Sequence, residues 1–343
     1  MIRTEIALDI GSRRTKLAVK NRNMLPLLGK NADDTVIYTE ESCVASSRSE
    51  TDDGEILVGN AALDSRLECV YPIHEGCAAN SRLLALLIRR LASEKSGRRK
   101  PNQEMLHIAV SRALGTMKLR NLERAMQNSG FRYYRFHDAA LMAAMGAGID
   151  ISRDSACMIV NIGAETLSVA VTANGGLLWE SMIPGGSRRV NRAITTLIQR
   201  ERGVLIGDRM AELIKLNIGS PSFIVDGRDV RSGLPRTVTI ERDELSDIIS
   251  AAVGETVEAV KDALKAIQPD AAADIVDSGI LLVGGGARLC GLRESVERII
   301  GVSISIAPNA ETAVIDGLKQ YALDGKAEAE TWQGYTAVEA DLA

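Results

Sequence analysis

The sequence predicts an α/β protein in which a parallel or mixed sheet flanked by helices is built twice. Three observations predict it. The stretch Ile6–Val19, IALDIGSRRTKLAV, reads as an apolar strand, a tight turn at Gly11 and a second, alternating strand. Met158–Val171, MIVNIGAETLSVAV, repeats that format much later in the chain, which implies two similar halves. A third glycine turn, in Ser278–Leu292 (SGILLVGGGARLCGL), again follows an apolar strand. An acid near a strand end, followed by a glycine turn rich in free N–H groups, can face a metal-bound phosphate. A plain hairpin with one odd Asp explains the first stretch alone equally well.

Composition narrows the classes. The 343 residues suffice for one large or two medium domains, and 45% hydrophobic with 25% charged residues is ordinary for a soluble globular protein. Aromatic residues are only 3%, which argues against a stacking surface for single-stranded nucleic acid or carbohydrate. The net charge of −4 gives no pull toward nucleic acid or anionic lipid. Five scattered cysteines without a CxxC pair imply reduced thiols in a cytosolic protein, and the three histidines have no ligand spacing. No signal peptide or stretch long enough to span a membrane is expected.

Taken in order, residues 1–38 read as strands around the first turn, with Asn31–Asp34 a polar loop. Short strands are expected at Cys43–Ala45 and Glu55–Val58, a polar loop at Ser46–Gly54 and a short helix at Asn60–Leu67. Ser81 opens a helix with Leu83, Leu84, Leu87, Ile88 and Leu91 as its apolar stripe. That helix ends in a basic loop, Ser93–Pro101, whose Arg98, Arg99 and Lys100 read as a solvated turn or as a contact with anionic lipid or an acidic partner. Met105–Val110 is a strand, Met117–Met126 a helix stopped by Gly130, and Tyr133–Phe136 a strand. Asp138 begins an Ala- and Met-rich helix whose small residues permit burial at the centre.

In the second half, Cys157–Ile162 and Leu177–Ile183 are strands, and a helix carries Val190, Ala193, Ile194, Leu197 and Ile198 on one face. Ile206–Ile218 is expected to turn Met210, Leu213, Ile214 and Leu216 inward, with Glu212 and Lys215 on a polar face. Ser220–Arg236 reads as loop and Thr237–Ile240 as a strand. Ala252–Ile267 is a regular helix, Ile280–Val283 a strand, Leu292, Val296 and Ile299 mark a helix, Val302–Ile306 is a strand and Glu311–Tyr321 a last helix. Lys326–Ala343 reads as an acidic tail, with Trp332 and Tyr335 as a docking point or as stray aromatics.

Together the three glycine turns resemble the nucleotide site of the actin-like ATPase superfamily, and the chain resembles its MreB-type bacterial rod-shape family from about Ile6 to Tyr321. The matches are Leu8–Thr15, Leu205–Ser220 (LIGDRMAELIKLNIGS), Gly279–Leu292, Pro72–Ala78 and Met145–Gly148. The resemblance implies a two-lobed actin-like fold, that is, duplicated ribonuclease-H-like domains around a central nucleotide cleft. It implies a first lobe at 1–150 with a small subdomain near 31–75, a second lobe at 151–323 with a small subdomain near 205–250, and a flexible tail at 324–343. It further implies ATP and Mg²⁺ as cofactors and filaments made with itself or a paralogous actin-like subunit. Cell-shape membrane proteins are implied as partners, with a cytoplasmic location at the inner face of the membrane. The basic loop would give only weak peripheral contact with that membrane.

By residue, the resemblance places Asp9 as the acid holding hydrated Mg²⁺, and Gly11, Ser12, Arg13, Arg14 and Thr15 in the first phosphate hairpin. It places Asn161, Gly163, Ala164, Glu165 and Thr166 in the second, Glu212 and Lys215 near ribose and base, and Gly284, Gly285, Gly286 and Arg288 in the adenosine turn. Seven positions depart from the family pattern. Asn161 is neutral where an acid is expected, Ala164 adds a Cβ, and Glu165 puts negative charge beside a phosphate position. Ala139 and Ala140 stand where the family has Glu-Pro to orient the attacking water, with Asp138 one residue early. Arg13 and Arg14 either neutralise phosphate or fill the pocket. Phosphoryl transfer needs charge stabilisation and a positioned water, so the expectation is nucleotide binding with hydrolysis weak or lost. Two alternatives stand beside it: an active ATPase, with Asp138 doing the missing acid's work, and an actin-like adaptor that does not polymerise.

Overall fold

A computed structural model describes residues 4–20, 35–46, 55–65, 67–97 and 104–324. The expected loops at Asn31–Asp34 and 47–54, the basic cluster Arg98–Lys100 and the tail with Trp332 and Tyr335 lie outside those residues. The chain divides into two compact units. One comprises Met1–Asp154, Thr172–Leu177 and Glu311–Ala343; the other comprises Ser155–Val171 and Leu178–Ala310.

In the first unit, β1 (Thr4–Ile10) and β2 (Arg14–Lys20) form the expected hairpin, and β3 (Thr35–Glu41) adds to its edge. A small three-stranded sheet of β4 (Val44–Ser46), β5 (Ile56–Val58) and β6 (Cys69–Val70) carries α1 (Gly59–Asp64). A two-stranded hairpin of β7 (Ile73–His74) and β8 (Cys77–Ala78) turns through Glu75 and Gly76. Helix α2 (Ser81–Ser96) is capped by the Asn80 side chain, which accepts from the Leu83 N–H, and buries Leu84, Leu87, Ile88 and Leu91. It runs to Ser96, four residues into the expected basic loop, because Gly97 supplies the left-handed cap (φ 66°). β9 (Glu104–Val110), α3 (Thr116–Asn128), β10 (Tyr133–Asp138) and α4 (Ala139–Gly146) follow. The sheet order is β10-β9-β1-β2-β3, with β1, β9 and β10 parallel. Helix α4 is buried from Ala140 to Met145, as its small residues imply.

In the second unit, β11 (Cys157–Ile162), β12 (Thr166–Ala173) and β13 (Gly176–Pro184) lead to α5 (Ser187–Arg202). The strand β14 (Val204–Leu205) and helix α6 (Asp208–Leu216) precede a hairpin of β15 (Ser222–Asp229) and β16 (Pro235–Glu241). Then come α7 (Ser246–Ala266), α8 (Pro269–Ser278), β17 (Ile280–Val283), α9 (Leu292–Ile300) and β18 (Ile304–Ile306). The sheet order is β13-β12-β11-β17-β18. Its centre repeats the first sheet: a strand with its hairpin partner on one side and a parallel strand on the other. The described residues end with α10 (Ala313–Leu318), which continues as a π-helical turn at Lys319–Leu323, so the last helix starts two residues after the expected Glu311 and runs past Tyr321.

Two expectations in the second unit are corrected. Ser220–Arg236 is mostly strand, not loop. Gly227 lies within β15, where a Cβ would sit 2.4 Å from the Val204 side chain and 2.5 Å from the Leu205 carbonyl oxygen, so the glycine marks close packing against β14 rather than a turn. In α6, Leu213 and Leu216 are 48% and 64% exposed, whereas Ala211, Ile214, Lys215 and Ile218 are buried. Those four lie at i, i+3, i+4 and i+7, so the inward stripe includes a lysine that hydropathy assigns to the polar face. Helix α8 is an unanticipated element, with Pro269 in its first turn.

Candidate functional site

The first hairpin is closed by the Gly11 N–H donating to the Arg14 carbonyl at 3.1 Å. A Cβ on Gly11 would sit 2.7 Å from that carbonyl oxygen, which explains the glycine. The closure sets the register Ile10↔Thr15 and Asp9↔Lys16. Asp9 and Lys16 therefore share a face, and Lys16 Nζ donates to Asp9 Oδ2 at 2.7 Å. Lys16 was not among the expected site residues, although the seven-residue spacing across a tight hairpin encodes the pair.

The other residues of this turn look outward from it. Arg13 pairs with Glu41 at 2.8 Å, and Arg14 reaches Glu41 at 3.6 Å and Glu311 at 3.4 Å. Thr15 is fully buried, its hydroxyl 2.8 Å from that of Ser42, which itself donates to the Gly11 carbonyl at 2.6 Å. Ser42 thus clamps the turn from β3's end, and its N–H donates to the Arg13 carbonyl. The Ser12 hydroxyl accepts from the Gly76 N–H at 3.4 Å, which sets the β7–β8 hairpin against the turn.

At the carboxyl end of β10, Asp138 caps α4. Its carboxylate accepts from the Ala140 N–H at 3.1 Å and pairs with Arg112 at 2.8 Å. Burial raises its pKa above the usual carboxylate value, with Arg112 pulling the other way. Ala139 opens α4 with only a methyl group.

The second hairpin closes as the first does: the Gly163 N–H donates to the Thr166 carbonyl at 2.9 Å. Its turn is braced from the start of α5. Gly185, Ser187 and Arg188 donate their N–H groups to the carbonyls of Glu165, Gly163 and Ala164. Gly186 (φ 83°) permits this, since a Cβ there would lie 2.6 Å from the Gly163 carbonyl oxygen. The Glu165 side chain is buried and held by Arg188 at 3.0 Å and Arg192 at 3.3 Å. Its charge is thus matched within the unit by two arginines of α5.

The glycine turn after β17 abuts the end of β11. Gly284 (φ 85°) would place a Cβ 2.4 Å from the Ile162 carbonyl oxygen and 2.5 Å from Asn161 Oδ1, and a Cβ on Gly286 would meet the Ile162 side chain at 2.4 Å. Gly285 begins the following short 3-10 turn, and the Arg288 guanidinium donates to the Pro308 carbonyl. On α6, Lys215 donates to Glu212 Oε2 at 2.8 Å, and Asn191 of α5 donates its amide to the same oxygen at 2.7 Å. Asn191, 1% exposed, is a second residue the sequence reading missed; its neighbour Val190 drew notice only as part of an apolar stripe.

The family described as MreB/Mbl protein matches residues 3–330. The chain is 26% identical to the cell shape-determining protein Mbl of Bacillus subtilis over 331 residues, 92% of this chain and 95% of that protein. Among solved structures, MreB 5 of Spiroplasma citri bound to AMPPNP superposes with a TM-score of 0.81 at 25% identity, covering 95% of this chain and 98% of the other. A MamK double helical filament superposes with a TM-score of 0.74 at 17% identity, covering 94% and 99%, a likeness of fold.

Proposed function

The chain belongs to the MreB/Mbl family of cell shape-determining, actin-like proteins, and from that premise we propose that it binds ATP through its glycine turns, assembles into filaments and hydrolyses the nucleotide slowly or not at all. The observation that carries this reading is the hairpin built twice, each closed by a glycine N–H to the carbonyl three residues on (Gly11 to Arg14, Gly163 to Thr166). Such turns leave backbone N–H groups for phosphate oxygens. The AMPPNP bound to the Spiroplasma MreB 5 supports an adenine nucleotide as the ligand. Gly284–Gly286 would lie against the adenosine, and Glu212, steadied by Lys215 and Asn191, would accept from its ribose.

Slow hydrolysis follows from the residues that would handle water. Ala139 carries no group to polarise one, and Asp138 is committed to the Ala140 N–H and to Arg112. Magnesium is the weakest part of the expectation. Asp9, its would-be anchor, already holds an ammonium group, and the matched position in the second unit is the neutral Asn161. This donor set does not fit a strongly held divalent cation.

Assembly would use a second copy or a paralogous actin-like subunit. Exposed apolar residues offer surfaces for it: Ile56, Leu63 and Val70 around the small sheet of the first unit, and Ile224 and Leu234 on the β15–β16 hairpin of the second. Filaments of this family role would work in the cytoplasm at the inner face of the membrane, with cell-shape membrane proteins as further partners. Among the described residues no helix is long and apolar enough to cross a membrane. Electron microscopy of the purified protein with ATP and with AMPPNP, alone and mixed with an MreB-type partner, tests assembly. Filaments or incorporation are expected; a monomer under every condition would leave a nucleotide-binding adaptor instead.

A further inference from the structure

We propose that Lys16 takes the place of the divalent cation, so that this chain binds the polyphosphate of an adenine nucleotide as the metal-free anion. The inference rests on the nucleotide reading above and concerns how the same site balances charge. Asp9 and Lys16 are cross-strand partners in a hairpin of fixed register, so the backbone sets the two side chains opposite one another on one face. At 2.7 Å the ammonium neutralises the carboxylate, and both side chains are mostly buried, 15% and 18% exposed. A small dication that dehydrates reluctantly needs acids whose charge is not already matched. Beside Asp9 it would meet a fixed like charge on Lys16, which opposes its entry.

The rest of the matched residues do not restore the lost charge. Asn161 is neutral and its Oδ1 lies against Gly284. Glu165 is held by Arg188 and Arg192, and Asp138 by Arg112. By contrast, an ammonium at the base of a glycine turn is a point charge well suited to phosphate oxygens. In this arrangement Asp9 orients Lys16 by accepting one of its three N–H groups, and phosphate oxygens would accept the others.

The test is a titration of the wild-type protein with ATP, followed by calorimetry, in millimolar magnesium and again in excess EDTA. The proposal expects affinities equal within about threefold in the two buffers. Binding at least about tenfold tighter with magnesium would overturn it and leave the nucleotide reading standing. No binding in either buffer would overturn both. Lys16→Met sharpens the test, because it frees Asp9 and removes the ammonium: affinity in EDTA should fall about tenfold or more, and magnesium should now restore much of it. A merely structural Lys16 would lower affinity equally in both buffers, or not at all, and either result contradicts the proposal. Asp9→Asn, which keeps Lys16 and removes the acid, is expected to bind ATP in EDTA at least as tightly as the wild type; a loss there would also overturn it.

Discussion

Gly146 at the end of α4 and Gly317 in α10 face each other across a backbone-to-backbone contact. A Cβ on Gly146 would sit 1.8 Å from the Ala313 carbonyl oxygen, and one on Gly317 would sit 1.8 Å from that of Met142. Neither obstacle is a side chain that can swing aside. The two helices are therefore locked at a separation only glycine allows, and the packing of the first unit's helical layer on β1 and β9 depends on it.

Gly317→Ala should accordingly destabilise the protein by about 3 kcal/mol or more, since the helices must move apart and overpacking of this kind typically costs about 1–3 kcal/mol when relief is available. The control is Gly254→Ala, at an exposed position of α7 with open space around it. There the loss of backbone entropy in the unfolded chain should stabilise by about 0.5–1 kcal/mol. Urea denaturation of the two variants reads both signs.

A buried histidine pair makes stability depend on acid. His107 and His137 stand on adjacent parallel strands, their Nδ1 and Nε2 atoms 2.9 Å apart, and the His137 ring meets Tyr321 edge-on. Burial lowers the His107 pKa to about 4; burial, then His107 and Arg135, lower that of His137 to about 3. One proton between the two nitrogens makes the bond, and a second would set two N–H groups face to face. The unfolded rings bind protons near pH 6.5 and the folded ones do not. Stability should thus be full above about pH 6.5 and fall as pH drops toward about 4, by an amount on the order of several kcal/mol. His137→Gln should lower stability at neutral pH and flatten that slope, as melting curves across the range would record.

Glu165 tests whether a negative charge in the second turn opposes phosphate. Its carboxylate is matched by Arg188 and Arg192, so Glu165→Gln should cost about 1 kcal/mol of stability through the loss of these two charge-assisted bonds. It should not tighten ATP binding. A gain in affinity on this substitution would show that the charge does face the ligand.

Restoring the missing water-handling group should raise turnover. Ala139→Glu places a carboxylate at the start of α4, where an acid is also favoured by the helix dipole. Phosphate release by this variant is expected to exceed that of the wild type by about tenfold or more, within the range general-base groups contribute. Equal rates would mean that hydrolysis is limited elsewhere, with Asn161 the next candidate.

How much of this was written in the sequence depends on the range of the interaction. The two hairpins, the glycine turn after Ile280–Val283 and the α2 stripe are local, set by glycine placement and by periods of two and 3.6 residues, and they read correctly. The α6 stripe was misread because a lysine stem packs as an apolar residue once its ammonium finds Glu212. The β15 strand was missed because Gly227 and Pro235 look like turn residues until β14 and the strand start explain them. Partners distant in sequence stayed hidden: Arg188 and Arg192 for Glu165, Ser42 for the first turn, Arg112 for Asp138, and Gly317 for Gly146. No pattern within a window of a dozen residues encodes such pairs. Asp9–Lys16 is the exception, since a hairpin closed at Gly11 and Arg14 puts those two side chains opposite one another.

The repeated glycine hairpins of this MreB/Mbl-family chain are proposed to hold an adenine nucleotide. Calorimetric titration of the wild-type protein with AMPPNP, which is not consumed during the measurement, tests it most directly. One nucleotide per chain at about micromolar affinity, weakened by Gly11→Ala, is expected; no heat of binding up to about millimolar AMPPNP, from a protein that melts cooperatively, would rule the site out.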